Sequence, residues 1–482
     1  MPTSRYRALL PTLVCLALLP VAGNAATYYV SAGAADDSGN GSAAQPKKTI
    51  RAAAALMSPL GGDTVIVRPG TYAGDGNRID GLVAGRSSAW NTVKAEIDAS
   101  VRITALLEIP LGDHYLQFEG LDWTGATQKS VTGRYLKFLR CGFANGPATG
   151  NAVSLAIGTN NATPGAQYVL VEDSFAYGRG GRYNVLVYNA DRVVLRRLVA
   201  RHEDGWSDTQ GNPQAVVSLY NSTNILTQNL LLLDSRPSGY FEAALYHPSN
   251  GPASAHIHNS GAIVLNVANS GVGWDGGNAS SDSRLSDSIV FKADFGLTIN
   301  GAAHAGSLRN ITLGQLGSGG INDYHGAGLF NATNSLLSDI NGGNFQAIAH
   351  SGNICFQASC GTEPSMNPAT SGLRWLPRIE AGSALATAGP GATRVGAVVL
   401  KRLGAPGSLH GEPGFDQPTA AELWPWPQED RIRTALCTET GITTGFCAAS
   451  SLTRYVWEQL GTAIPADIYA PDRLFTDGFQ GV

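Results

Sequence analysis

The segment HYLQFEGL at residues 114–121 is the most informative about the fold, because its pattern recurs along the chain. Each copy is a short strand-like unit, and a glycine or a polar residue follows it. The strongest copies are RYLKFLRC at 134–141, QYVLVEDS at 167–174, DRVVLRRL at 191–198 and TNILTQNL at 223–230. The spacing, about 20 to 34 residues, lies within the range of solenoid repeats.

A second strand-like segment lies between these repeats. Its copies are NVLVYN at 184–189, AVVSLYN at 215–221, AALYH at 243–247, GVGWD at 271–275 and GLTIN at 296–300. Short strands joined by Gly, Asn and Asp corners describe the coils of a β-helix. A propeller needs longer and regular four-stranded repeats, so the uneven spacing favours coils with corner loops of different size. The sequence therefore predicts an all-β fold, a right-handed parallel β-helix.

The N-terminus has the order of a secretory signal peptide. Arg5 and Arg7 precede an uncharged apolar run at residues 8–21, and the small residues at 23–25 offer a cleavage site. The run is too short for a transmembrane helix, which needs about 20 apolar residues. We expect a secreted protein, extracellular or periplasmic, with no membrane span.

Composition limits the partners and the compartment. Charged residues make up 15% of the chain, the formal net charge is -4, and 59 of the 482 residues are glycine. This balance argues against nucleic acid as a partner and suits a turn-rich β architecture. We expect a monomer.

The cysteines form two close pairs, as is typical of an exported protein. We predict the disulfides Cys355–Cys360 and Cys437–Cys447, with Cys141 left as a small buried side chain in a strand.

The segment that follows the signal resembles the opening of pectate-lyase-like secreted β-helix proteins. The resemblance rests on TYYVS at 27–31, DSGNG at 37–41, QPKKTI at 45–50 and GDTVIVRPGTY at 62–72. It implies a capping helix before the first coil, which the Ala-rich stretch Thr49–Met57 would form. A cap also suits the exposed end of a solenoid. The same scaffold carries lyases, hydrolases, epimerases and inert binding proteins, so the resemblance is more informative about fold than about activity.

The expected organisation has four parts. Residues 1–25 are the signal peptide, 26–112 the N-terminal cap and first coils, and 113–353 the β-helix. Residues 354–482 form a C-terminal cap with a Trp/Pro-rich segment, a short helix and a tail. Packing on the solenoid is favoured over sugar binding for the tryptophans of LWPWPQED at 423–430.

A candidate binding groove comes from aligning the second strand. Equivalent residues on stacked coils lie about 4.8 Å apart, so the alignment predicts a column of Tyr188, Tyr220, Tyr246 and Trp274. His247 and Asp275 would lie beside it. The column is either an exposed platform for sugar rings or a stack of inward side chains that fills the core. If the alignment is wrong by one residue, side chains assigned to one face belong to the other.

Polar loops enter the same strands, and they supply the candidate chemistry. A lyase must neutralise the carboxylate of a uronic acid and remove the adjacent proton. Lys292, His247 and Arg236 are candidate bases, and Arg179 and Arg182 are candidate substrate-binding residues. Oxygen ligands for Ca²⁺ would come from Glu203, Asp204 and Asp208.

A hydrolase needs two carboxylates instead, for which Glu242 and Asp275 are the candidate pair. The paired-aspartate and Gly-His-Gly pattern of β-helix polygalacturonases is absent from the sequence. We favour a polysaccharide lyase that acts by β-elimination. A glycoside hydrolase and a non-catalytic polysaccharide-binding or adhesion solenoid remain the alternatives.

Overall fold

The computed structural model describes residues 25–147, 153–159, 165–178, 181–203, 213–237, 241–250, 254–301, 304–326, 328–356 and 361–468. The expected signal peptide, except Ala25, and the C-terminal tail from residue 469 lie outside these ranges. No helix in the described part of the chain is long and apolar enough to cross a membrane.

The described strands form a parallel β-helix with three faces, named here in the order in which the chain enters them. The first face is one parallel sheet of short strands. Its strands are Thr27–Val30, Thr64–Val67, Asn91–Ala95, His114–Glu119, Arg134–Leu139, Gln167–Glu172, Asp191–Arg196, Thr223–Gln228, Ser254–Ser260, Ser280–Ser286, His304–Arg309, Phe330–Thr333 and Ala349–Ser351.

The second face follows after a sharp corner. Its strands are Gly70–Tyr72, Val101–Ile103, Leu121–Trp123, Gly142–Ala144, Phe175–Gly178, Val199–His202, Leu231–Ser235, Ile263–Val267, Leu336–Ile340 and Ile354–Cys355. Two long strands, Ile289–Gly301 and Thr312–Asp323, begin on the second face and continue into the third.

The third face closes each coil. Its other strands are Glu108–Ile109, Lys129–Val131, Val153–Gly158, Tyr183–Tyr188, Ala215–Tyr220, Ala243–Pro248, Ser270–Gly276 and Gly343–Gln346.

The register of the first face confirms the repeat alignment made from the sequence. Leu116 pairs with Leu136, Leu136 with Val169, Val169 with Val193 and Val193 with Ile225. All five side chains are at most 1% exposed, because alternate residues of each strand point into the coil. The core is therefore a continuous stack of aliphatic and aromatic side chains along the axis.

The corner between the first and second faces uses one left-handed residue per coil. Asparagine, aspartate and glycine adopt this conformation at low cost, which explains their recurrence after each first strand. The positive-φ residues at this corner are Gly120, Arg140, Asp173, Arg197, Asn229, Gly261, Asp287, Asn310, Asn334 and Gly352.

Short helices lie outside the coils. The helix Ile50–Ala54 follows Thr49, whose hydroxyl accepts a hydrogen bond from the Ala52 amide, and it contacts the strands Thr27–Val30 and Thr64–Val67. It is shorter than the predicted stretch Thr49–Met57, and its role as a cap remains a prediction. The other helices are Asp75–Asn77, Pro368–Thr370, Ala384–Ala386, Glu429–Arg433, Thr434–Thr438, Gly445–Ala448 and Leu452–Gln459.

The C-terminal segment packs along the outside of the second face. Trp424, Trp426 and Trp457 are each at most 2% exposed and share a cluster with outward residues of that face such as Leu231 and Ile263. The prediction that Trp424 and Trp426 pack on the solenoid is thus confirmed. Within the same segment, Lys401–Leu403 and Pro418–Glu422 form an antiparallel pair.

A buried ionic network attaches this segment to the first face. Arg196 bonds Glu172 at 2.8 Å and donates to the carbonyl oxygens of Ala405 at 2.7 Å and Phe415 at 3.0 Å. Because Arg196 and Glu172 are almost fully buried, removing either side chain would leave the charge of the other buried without its partner, which is strongly destabilising.

The cysteine predictions hold where the structure describes them. Cys437 and Cys447 form a disulfide, and Cys141 is free and buried. Cys355 is disulfide-bonded, and Cys360 lies outside the described residues.

Candidate active site on the third face

The third face presents an aromatic outer surface. Outward side chains of its central strands form one cluster, in which two tyrosines are buried and two more are partly buried. The cluster consists of Val153, Ala156, Tyr183, Leu186, Ala215, Ala243 and Tyr246, with Tyr188 and Tyr220 packed against it. No described residue of the C-terminal segment belongs to this cluster, and many of the segment's described apolar residues pack on the second face.

The predicted column of four aromatic residues is wrong beyond its second member. Tyr188 does pair with Tyr220, but Tyr246 pairs with Ser218, two positions earlier in the preceding strand. Trp274 pairs with His247. The displacement arises because the sequence alignment matched aromatic residues to each other, whereas the pairing follows the buried aliphatic positions.

Trp274 and His247 consequently face the interior. Trp274 is 0% exposed and His247 is 2% exposed. Their rings stack with centroids 4.9 Å apart. Asn259 donates from Nδ2 to His247 Nε2 at 3.2 Å, and His247 Nδ1 donates to the Gly273 carbonyl at 3.3 Å. Burial lowers the pKa of His247 to about 4. Neither side chain can touch a ligand on the outer surface.

A cleft of about 510 Å³ opens beside the tyrosines. Tyr188 and Tyr220 line it, with ring centroids 4.8 Å apart and an interplanar angle of 66°. Because the rings meet edge to face, the edge of one ring lies against a face of the other, and the two faces of the first ring are not covered by this contact. Other lining residues are Glu108, Gln128, Ser130, Thr132, Arg182, Tyr183 and Leu186.

Two carboxylates lie near one another next to this aromatic surface. Burial raises the pKa of Glu242, and the negative charge of Asp275 raises it further. Asp275 accepts hydrogen bonds from Tyr246 Oη at 2.5 Å and from the Gly276 amide at 2.7 Å. The two carboxyl groups therefore have different surroundings, with donors on both oxygens of Asp275 and a partly desolvated Glu242.

Tyr183 and Gln214 connect the carboxylates to the cleft. Tyr183 donates its hydroxyl hydrogen to Gln214 Oε1, and Gln214 also hydrogen-bonds Glu242. Arg182 lies over the Tyr183 ring at 5.8 Å and lowers the pKa of Glu242, opposing the effect of burial. Glu242, Asp275 and Tyr246 thus lie together, and Tyr183, Gln214 and Arg182 connect them to the cleft, whose lining does not include the two carboxylates.

Sequence reasoning missed Tyr183 and Gln214. Tyr183 immediately precedes the repeat NVLVYN, and it would have been found by extending that strand by one residue. Gln214 precedes the strand Ala215–Tyr220 and carries no repeat signal.

Two predicted bases lie away from the carboxylate pair. Lys292 Nζ donates to Gln459 in the C-terminal helix, on the side of the second face. Arg236 donates to the Val267 carbonyl at 2.9 Å and lies 3.9 Å from Asp294. The structure therefore does not assemble Lys292, His247 and Arg236 with Glu242 and Asp275 into one site.

The predicted calcium ligands are only partly described. Glu203 is buried in an ion pair with Arg201 at 2.7 Å, and a neighbouring cation disfavours Ca²⁺ binding there. Asp204 and Asp208 lie outside the described residues, as does Arg179. The described part of this set does not fit a calcium site.

Comparison with known proteins adds structural neighbours. No protein-family model matches the sequence, and a search of curated proteins finds no match. Among solved structures, a complex of XylC with xylose has a TM-score of 0.46 and 10% identity, covering 65% of this chain and 75% of that chain. A mannuronic acid specific polysaccharide family 6 lyase from human gut microbiota has a TM-score of 0.43 and 12% identity, with 70% of each chain covered. Pectate lyase Pel9A has a TM-score of 0.38 and 16% identity, covering 77% of this chain and 94% of that chain. At these scores and identities the comparisons do not decide the function, which must be argued from the site.

Proposed function

We propose that this protein is a carbohydrate-active enzyme that cleaves glycosidic bonds in a polysaccharide bound along the third face. The observation that carries the proposal is the Glu242–Asp275 pair beside a tyrosine-lined cleft. Glycoside hydrolysis requires two carboxyl groups, one that donates a proton and one that stays ionised. Two carboxyl groups whose surroundings give them different pKa values can take these two roles.

Glu242 is suited to be the general acid. Its raised pKa favours the protonated form, which can donate to the oxygen of the leaving sugar. Asp275 is suited to act as nucleophile or base, because the hydrogen bonds from Tyr246 and Gly276 hold its carboxylate in place. In either role, Tyr246 orients Asp275 and excludes water from one side of it.

The tyrosines are suited to hold sugar rings. The C–H surface of a pyranose packs on an exposed aromatic face, and the edge-to-face arrangement of Tyr188 and Tyr220 leaves such faces available. The tyrosines of the first face differ: Tyr115, Tyr135 and Tyr168 stack at 4.7 and 4.6 Å, so their faces cover each other. This contrast favours the third face as the binding surface.

A second candidate activity, β-elimination on an acidic polysaccharide, is favoured by Arg182 in the cleft. A guanidinium can pair with the carboxylate of a uronic acid, which makes the adjacent proton more acidic. The base would then be Glu242, which lies near Arg182. A calcium requirement remains a proposal for the lyase alone.

A screen of the purified protein against acidic and neutral polysaccharides tests both activities. Hydrolysis releases reducing ends without unsaturated sugars, whereas elimination produces unsaturated ends that absorb in the ultraviolet. We expect reducing ends without unsaturated products, no effect of a calcium chelator, and a loss of about a hundredfold or more in Glu242→Gln and Asp275→Asn. Cleavage at the wild-type rate in both variants would refute the carboxylate mechanism. Binding without any cleavage would support a non-catalytic solenoid instead.

A further inference from the structure

A second cluster of reactive side chains lies on the first face, away from the proposed carbohydrate site. His256 and His258 lie on the strand Ser254–Ser260, and Asp282 lies on the neighbouring strand Ser280–Ser286. The register pairs Ala255 with Ser281, so His256 is level with Asp282 on the next coil. Two imidazoles and one carboxylate therefore meet on the outside of the sheet.

The three ligand atoms are close together. Asp282 Oδ2 lies 2.9 Å from His256 Nδ1 and 3.1 Å from His258 Nε2. All three atoms lie within 4.8 Å of one another. In a tetrahedral site with metal–ligand bonds of about 2.0–2.1 Å, ligand atoms are about 3.3 Å apart. Small side-chain movements would therefore bring the three atoms to bonding distance of one cation.

The C-terminal segment completes a cavity in front of these residues. The cavity has a volume of about 320 Å³, and His410 and Asp416 line it together with His256 and His258. His410 also interacts electrostatically with His258, and its ring packs on Phe415 at 4.7 Å. A third imidazole thus lies at the same cavity.

We infer that His256, His258 and Asp282 bind a divalent transition-metal ion such as Zn²⁺, with His410 as the nearest additional ligand. Two nitrogen donors and one carboxylate suit zinc, nickel or copper, whereas calcium and magnesium prefer oxygen ligands.

Arg284 is the competing cation at this site. It donates to both oxygens of Asp282, at 2.7 and 3.1 Å, and its side chain is 54% exposed. An exposed guanidinium can swing into solvent when a metal ion takes the Asp282 oxygen. Removing the Arg284 guanidinium should therefore strengthen metal binding. If the cluster were held together by hydrogen bonds alone and bound no metal, the same substitution would only remove hydrogen bonds from it.

Isothermal titration of the untagged mature protein with Zn²⁺ tests the inference, with Co²⁺ absorption as a second readout of ligand geometry. We expect one saturable site that Ca²⁺ does not occupy. His256→Ala and His258→Ala should each lower the affinity by about tenfold or more, since loss of even an outer-shell partner has that effect. Arg284→Gln should raise the affinity.

His114→Ala is the matched control, because His114 lies on the same face five strands away from His256 and should leave zinc affinity unchanged. Circular dichroism of each variant verifies folding. Absence of saturable Zn²⁺ binding, or equal affinity in the wild type and the two histidine variants, would overturn the inference. Because this site is independent of Glu242 and Asp275, its failure would leave the proposed carbohydrate activity untouched.

Discussion

His247 lies inside the β-helix, and its burial makes the stability of the fold depend on pH. It is neutral in the fold because Asn259 donates to one ring nitrogen and the other donates to a carbonyl. The stacking on Trp274 adds contact on one ring face. This histidine is therefore a structural residue of the core, although its residue type and its neighbour Asp275 made it a candidate base in the sequence.

The pH dependence of unfolding should reveal this buried histidine. Burial lowers its pKa to about 4 in the fold, against about 6.5 in the unfolded chain. The stabilisation is thus complete above pH 6.5 and is lost as pH falls toward 4, because only the unfolded state takes up the proton. The loss should reach about 3 kcal/mol of unfolding free energy.

Urea unfolding of wild type and His247→Gln at several pH values measures this effect. The difference in unfolding free energy between the two proteins should shrink by about 3 kcal/mol from pH 7 to pH 4. His114→Gln serves as the control, since His114 is partly exposed. A constant difference across this range would mean that His247 is not buried as described.

Trp274 and Tyr220 should respond differently to truncation. Trp274 is fully buried, so Trp274→Ala should lower the free energy of unfolding by about 3–5 kcal/mol. Tyr220 is only partly buried on the outer surface, and Tyr220→Ala should cost about 1 kcal/mol or less. Thermal melts of the two variants compare them directly. Similar losses would contradict the inward and outward assignments.

At the level of strands, the sequence predicted the first face more accurately than the third. The strands of the first face share buried apolar residues at equivalent positions, so aligning Leu116 with Leu136 and Val169 placed the register correctly. On the third face, Gly273 interrupts the alternation, and the loops that enter the strands differ in length. An alignment that matches aromatic residues was therefore wrong by two positions at Tyr246 and by one position at Trp274.

The candidate site was predicted only in part for the same reason. Glu242 and Asp275 could be proposed as a pair because each lies at an end of a recognisable strand segment. Lys292 contacts the C-terminal helix because residues 452–459 pack on the second face. The repeat pattern of the sequence does not predict such a contact. The His256–Asp282 cluster also escaped notice, since it joins residues 26 apart whose types do not repeat.

The disulfide in the C-terminal segment should stabilise its packing on the second face. Cys437 and Cys447 are 10 residues apart, and closing a loop of that size stabilises by about 3 kcal/mol in the chain-entropy model. Arg201 donates to the Leu436 carbonyl and lies 3.2 Å from Cys447 Sγ, so the bridge also borders a buried ion pair.

Denaturant unfolding of the Cys437→Ser/Cys447→Ser double variant measures this contribution. The free energy of unfolding should fall by about 3 kcal/mol. A reductant should destabilise the wild type more than the double variant. If the variant and the wild type unfold at the same denaturant concentration, the disulfide does not stabilise the fold.

For the whole molecule, the three faces have different surroundings. The C-terminal segment covers much of the second face with buried tryptophans, and it reaches the first face through Arg196 and the cavity that contains His410. On the third face, the described residues leave an aromatic cleft accessible next to two carboxylates. This division of the surface is the physical reason for assigning carbohydrate binding to the third face.

The most direct test is a crystal structure of the Glu242→Gln variant with an oligosaccharide of the polysaccharide that the wild type cleaves. We expect sugar rings across Tyr188 and Tyr220, with the bond to be cleaved between residue 242 and Asp275. An oligosaccharide bound on the first face, or on the C-terminal segment away from Asp275, would contradict this expectation.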